Sequence, residues 1–164
     1  MKHKISKLFL MCLLVIFLSA CNQIGLLKSK FQLSATNIHD KIVLNKTTEE
    51  ELIKQFGKPN KKIDNPSTVA DLYNEDNGDS SEGGIMDRLD EETDFFQTMK
   101  SVKHDYDYSI GWDFDNCYIY QDKNLGLEYL RFYIKDGLVS EYYFGDITNK
   151  SVAQKDKYLR QILD

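Results

Sequence analysis

Leu130-Arg131-Phe132-Tyr133-Ile134-Lys135-Asp136-Gly137-Leu138-Val139-Ser140-Glu141-Tyr142-Tyr143-Phe144 reads as two β-strands joined by a tight turn. Aromatic and β-branched residues crowd both arms, and Asp-Gly between two such runs suits the positive φ angles of a hairpin. Two registers compete. A two-residue Asp136-Gly137 turn sets Phe132 opposite Glu141, putting a carboxylate against the apolar face. A three-residue Lys135-Asp136-Gly137 loop, with Gly137 left-handed in a bulge, sets Ile134 opposite Leu138, Leu130 opposite Tyr142 and Arg131 opposite Glu141. Cross-strand pairs contribute roughly 0.2–1 kcal/mol each, and an unpaired carboxylate is costly to bury. The three-residue loop is therefore expected. It turns Leu130, Phe132, Ile134, Leu138, Tyr142 and Phe144 toward helices, and Tyr129, Arg131, Tyr133, Val139, Glu141 and Tyr143 to the other side.

Upstream, Cys117 to Tyr120 and Leu127 to Ile134 are further β-rich runs. Before them Tyr106, Tyr108, Ile110, Trp112 and Phe114 alternate with polar residues, as in a strand with one buried aromatic face. Thr47-Thr48-Glu49-Glu50-Glu51-Leu52-Ile53-Lys54-Gln55-Phe56-Gly57-Lys58-Pro59 marks a helix at both ends. Thr48 and Glu51 form a capping box, Gly57 suits a left-handed cap, Pro59 forbids continuation, and Leu52, Ile53 and Phe56 are the stripe to bury. A second helix is expected from Gly84 to about Val102 with Ile85, Leu89, Phe96 and Met99 on one face. A third is expected from Ser151 to Leu163, capped by Ser151 with Gln154 and burying Val152, Leu159, Ile162 and Leu163. The pattern is an α+β domain, an antiparallel meander sheet of three to four strands with helices on one face.

From Asp71 to Asp94 ten acidic side chains face one basic residue, Arg88. Its first part, near 71–84, is expected to be a solvated insertion. Residues 22 to about 40 show no sustained periodicity and are expected to be a mobile tether, with one domain over 41–164.

The amino-terminal segment has its own logic. Lys2, Lys4 and Lys7 precede an apolar run from Leu8 to Leu18, then Ser19-Ala20 and Cys21, the layout of a secretory signal. That run is too short for a helix crossing the hydrocarbon core, which needs roughly 20 residues. Leu18-Ser19-Ala20-Cys21 resembles the lipobox of bacterial lipoproteins. The resemblance implies a diacylglycerol on the Cys21 sulfur and removal of residues 1–20. Of three cysteines the mature chain then keeps Cys117 alone, so no internal disulfide can form and one hydrophobic core must hold the domain. Net charge is −5 for the whole chain; with three of its 21 basic residues gone, 18 face 26 acidic ones. An acidic protein repels nucleic acid and anionic lipid headgroups, so neither is expected as a partner.

The capped helix over 47–59, the later Trp112 strand, and the hairpin Leu130-Arg131-Phe132-Tyr133-Ile134-Lys135-Asp136-Gly137-Leu138-Val139 together resemble the SmpA/OmlA (BamE) small lipoproteins, whose fold is shared with β-lactamase-inhibitor proteins. The resemblance implies two helices packed on an antiparallel sheet and a noncatalytic, protein-binding or assembly-supporting role in the envelope. A secreted-inhibitor-like module on the same fold is the nearest alternative. Lipoprotein sorting, as the resemblance implies it, uses aspartate after the cysteine to retain a protein at the inner membrane. Asn22 stands there, which points to the outer membrane facing the periplasm in a two-membrane host, and otherwise to the outer face of the cell membrane.

A metal-dependent or enzymatic envelope protein would need a nucleophile with a base, or a ligand cluster. Downstream of Cys21 the histidines are His39 and His104, and no phosphate-binding glycine loop or paired-cysteine zinc pattern occurs. Cys117 with His104 is a conceivable thiolate pair, against which a lone cysteine in a strand is usually buried. Glu75, Asp76, Asp79 and Glu82 offer oxygen ligands of the kind calcium takes, without EF-hand register. No cofactor or metal is expected. Ten tyrosines and nine phenylalanines exceed what one sheet face can bury. Either helices cover the second face too, or its tyrosines are exposed and Tyr129, Arg131, Tyr133, Glu141 and Tyr143 form a surface for a protein partner.

Overall fold

The structure is a computed structural model describing residues 31–78, 84–103 and 113–163. The leader, Cys21, His104, Trp112 and most of the expected tryptophan strand lie outside these residues. In chain order the described helices are α1 (Ala35–Lys41), α2 (Glu49–Phe56), α3 (Pro66–Asn77), α4 (Ile85–Arg88), α5 (Asp94–Thr98) and α6 (Lys150–Ala153), with a 3-10 turn at Leu159–Ile162. The strands are β1 (Lys61–Ile63), β2 (Asn116–Tyr120), β3 (Leu130–Lys135) and β4 (Leu138–Phe144), a four-stranded meander in that order, each pair antiparallel.

The α+β meander is the architecture expected. α2 keeps both ends where its residues place them: Thr48 Oγ1 accepts the Glu51 amide at 3.1 Å and the Glu51 carboxylate accepts the Thr48 amide at 3.0 Å. Gly57 closes the helix at φ 85°. The start of α2 also covers one edge of the sheet, because the Glu49 amide donates to the Gly137 carbonyl and the Val139 amide to that of Thr47. Capping an edge strand in this way removes a template for aggregation.

One core lies between the sheet and most of the helices, with Leu130, Phe132, Ile134, Tyr142 and Phe144 from the strands and Ala35, Ile38, Leu52, Leu89 and Phe95 from the helices. Ala35, Ile38 and His39 are buried in α1, which corrects the tether expected up to residue 40. Ser34 caps α1 by accepting the Asn37 amide. His39 then locks it: Nε2 lies 2.9 Å from the Phe95 carbonyl and Nδ1 2.9 Å from the Tyr158 hydroxyl.

The helix expected over Gly84–Val102 is two short helices. Asp90 and Thr93 break it, Asp90 by accepting the Glu92 amide and Thr93 by capping α5. The break rotates the second piece, so that Phe95 is fully buried and Phe96 is 44% exposed. The C-terminal helix is likewise shorter than expected. Asn149, not Ser151, caps α6, and Asp156 ends the helical run by accepting the Tyr158 amide before the 3-10 turn. Ala153, Tyr158, Leu159 and Ile162 are buried, while Val152 and Leu163 are half-buried.

The hairpin departs from the expected register. Asp136 at φ 50° and Gly137 at φ 72° form a two-residue turn, with Lys135 opposite Leu138 and Ile134 opposite Val139. The pairing then shifts by one residue, so Tyr133 stands opposite Glu141, Phe132 opposite Tyr142, Arg131 opposite Tyr143 and Leu130 opposite Phe144. The extra residue is Ser140, in the strand rather than the turn. A positive-φ pair matches the right-handed twist of the strands, and the bulge keeps Glu141 off the apolar face. Before the bulge the sides of Leu138 and Val139 are exchanged: Val139 joins the main core.

Candidate functional site

The second face of the sheet is covered by α3, in the stretch expected to be a solvated insertion. Asn65 caps it by accepting the Thr68 amide at 3.0 Å, and Pro66 occupies the first turn, where no amide hydrogen bond is lost. Val69, Tyr73 and Asp76 recur at helical spacing and are buried. Tyr73 packs edge-on against Tyr133, ring centroids 5.2 Å apart, and lies 4.9 Å from Phe114. With Val69 and Cys117 these rings form a smaller second core, flanked by Ile63, Leu72, Ile119 and Tyr143.

Asp76 is the polar centre of this layer, its side chain only 2% exposed. It accepts the Tyr133 hydroxyl at 2.6 Å, the Tyr129 hydroxyl at 2.9 Å and Arg131 Nη1 at 2.7 Å. Burial pushes its pKa up, and the Tyr133 hydrogen bond and the Arg131 charge oppose that shift. The Arg131 guanidinium also lies 4.0 Å from the Tyr129 ring centroid, a stacked cation–π contact. Glu75 reaches Arg131 from the rim at 3.3 Å. Arg131 Nε has no hydrogen-bond partner among the described residues. Beside this group, the Tyr143 hydroxyl donates to Glu141 at 3.0 Å, and burial raises the Glu141 pKa against the Tyr143 and Tyr73 hydrogen bonds.

The five residues expected as a partner surface are thus brought together on one face, but α3 lies over them. Tyr133 is fully buried and Arg131 is 7% exposed, while Tyr129, Glu141 and Tyr143 are half-buried at the rim. This corrects the open aromatic face: the alternative reading, in which a helix covers it, is what occurs. The exposed outer side of α3 presents Asp71, Asn74 and Glu75 instead. A groove of about 780 Å³ runs along the rim, with Glu75, Asp87, Glu128 and Asp146 against Lys61 and Arg131 in its lining.

Chemically the layer is a clamp, in which a buried carboxylate holds three donors from β3 and its approach. Asp76 points inward with its oxygens occupied, so it does not serve a calcium loop; Asp79 and Glu82 lie outside the described residues. Cys117 is fully buried and burial pushes its thiol pKa up to about 12, the reverse of what a nucleophile needs. Among the described residues, no group of three or more His, Cys, Asp and Glu is placed to hold a metal ion. No described helix is long and apolar enough to cross a membrane. The signal for α3 was present in the Asn65-Pro66 cap and in Val69, Leu72, Tyr73 and Asp76, all on one helical face. The density of acids masked it.

In comparisons with known proteins, no family model, no curated protein and no solved structure matches the chain.

Proposed function

We propose that the chain is a membrane-anchored envelope lipoprotein, held by lipid on Cys21, whose domain is a noncatalytic protein-binding or assembly-support module. The observation that carries the reading is the order of Lys2, Lys4 and Lys7, the apolar run to Leu18, Ser19-Ala20 and Cys21, with a capped, buried helix beginning at Ala35. Several acyl chains on one residue give stable anchoring, each buried methylene contributing about 0.8 kcal/mol. Asn22 after the cysteine favours the outer membrane in a two-membrane host and the outer face of the cell membrane otherwise.

The partner-binding part of the reading rests on α3. Its exposed Asp71 and Glu75 and the acidic groove beside it suit a basic protein surface, which opposite charge steers into encounter. The likeness of the capped helix and the hairpin to the SmpA/OmlA lipoproteins supports the same class of role. A photo-crosslinking residue in place of Asn74 should capture one discrete envelope protein in intact cells, and Asp71→Lys with Glu75→Lys should abolish the adduct. An adduct unchanged by the charge reversal, or none, counts against a partner docked on α3.

A further inference from the structure

We propose that the groove at the end of α3 takes the carboxyl terminus of a peptide chain, its terminal carboxylate on the unpaired edge of Arg131 and a basic side chain just before it against Glu128 and Asp146. The proposal rests on the reading above that this side of the domain receives a basic partner, and it names the part of that partner that enters.

The floor of the groove follows from the register of the sheet. Lys61, Ile119, Arg131 and Tyr143 are Cα partners in turn, one row across all four strands. α3 covers the neighbouring part of this face, around Cys117 and Tyr133, and ends at Asn77. Its last turn meets the row at Arg131 through Asp76, which leaves Lys61 exposed and Ile119 half-buried in the lining of the 780 Å³ groove. Pockets of roughly 300–1,000 Å³ hold ligands of a few residues.

Arg131 is 7% exposed and stacks on the Tyr129 ring. That ring has room because position 145 is glycine: a Cβ there would come within 2.8 Å of it. Both acids that reach the guanidinium do so at Nη1. Nε is buried without a hydrogen-bond partner among the described residues. The Nε and Nη2 edge of a guanidinium presents two parallel N–H groups, which match the two oxygens of a carboxylate. A buried donor left unpaired is costly, so an acceptor seated there is favoured. Beside it Glu75 is exposed and Tyr129 half-buried, and both can yield to an entering group.

The rest of the lining selects the ligand. With Asp76 and Glu75 already on Arg131, the described acids that remain are Asp87, Glu128 and Asp146, all exposed, against Lys61. That excess of negative charge repels phosphate and polyanions. A chain end that carries one carboxylate and a lysine or arginine meets both signs. Glu128 and Asp146 lie together, the Glu128 amide donating to the Asp146 carbonyl at 2.8 Å. Three positions along the strand separate Glu128 from Arg131, about 10 Å, within reach of a basic side chain one or two residues before the terminus.

The test titrates the full chain in detergent micelles with Gly-Ala-Lys-Ala labelled at its amino end, and reads fluorescence anisotropy. Amidating the carboxyl terminus should weaken binding about ten- to a hundredfold, the loss expected for a hydrogen-bonded charge. Glu128→Lys with Asp146→Lys should weaken it as well, and the Arg131 Nε–H resonance should shift with the free acid more than with the amide. Arg131→Lys should erase the preference for the free acid, while the amidated peptide keeps the test independent of whether that variant folds. Equal binding of acid and amide, both weakened by the Glu128 and Asp146 changes, overturns the carboxylate site and leaves the basic-partner reading in place. Binding of neither peptide overturns the proposal too, as does inorganic phosphate competing as well as unlabelled peptide; the adduct at Asn74 then decides the partner reading separately.

Discussion

The Asp76 carboxylate accepts the Tyr133 hydroxyl at 2.6 Å, tying the end of α3 to β3 across the second face of the sheet. The same carboxylate neutralises Arg131, so the three residues act as a unit. Breaking a buried pair by removing one charge is expected to destabilise by about 3–5 kcal/mol, whereas one lost hydrogen bond to a charged group removes about 1.5–3 kcal/mol. Urea unfolding should therefore rank Asp76→Ala well below Tyr133→Phe, with both below the parent chain. An Asp76→Ala loss under about 1 kcal/mol would mean that α3 is not clamped to the sheet.

Burial shifts Glu141 in the opposite direction to a carboxylate held in an ion pair. Burial raises its folded pKa above the ordinary 4.5, so between those two values the folded state holds more protons than the unfolded one. By linkage the penalty from this group is absent below the unfolded pKa, grows as pH rises, and is complete above the folded pKa. Glu141→Gln can still accept the Tyr143 hydroxyl. It should be as stable as the parent or more so at pH 7, and the difference should shrink as pH falls toward 4. Melting curves across that range that run parallel, or a gap that widens on acidification, would contradict the assignment.

The Cys117 thiol offers a direct measure of burial. With its pKa pushed up to about 12 and no exposure, a water-soluble thiol reagent at pH 8 should modify it only as fast as the domain unfolds. Urea should accelerate labelling in step with the loss of structure. Immediate stoichiometric labelling of the native protein would show that the second core is open.

A chain beginning at Lys41 tests the boundary of the domain. It lacks Ala35, Ile38 and His39, all buried; burying an isoleucine side chain alone contributes about 1.5–3 kcal/mol. His39→Ala additionally strips the Phe95 carbonyl and the Tyr158 hydroxyl of a partner. Scanning calorimetry should find the truncated chain without a cooperative transition and His39→Ala melting several degrees lower, whereas a chain beginning at Phe31 melts as the parent does. If truncation to Lys41 leaves the melting temperature unchanged, α1 is a tether after all.

How much of this was legible in the sequence follows from where each signal lies. α2 carries its start and stop in side chains that act locally, Thr48 with Glu51 and Gly57, and it forms as expected. The meander follows from alternation and from Asp136-Gly137, but its register depends on Ser140, which has no residue-type signature for a bulge. Turn chemistry favours the one-residue shift at Gly137, where glycine makes it easy, although either position keeps Glu141 from the apolar core. α3 was hidden for a different reason: Asp76 counts as solvated by type, and its burial depends on Arg131, 55 positions away. The register shift leaves the candidate site residues on one side, and α3 alone changes their setting. They share a face as expected, yet that face is an interior.

The lipid on Cys21 is tested most directly by the intact mass of the protein extracted from bacterial membranes. A chain that begins at Cys21, with residues 1–20 gone and the added mass of a diacylglycerol localised to Cys21 by fragmentation, is the predicted result; Cys21→Ser should yield neither the cleavage nor the lipid. A membrane-extracted chain that retains Met1 to Ala20, or begins at Cys21 with no acyl mass, would contradict the account.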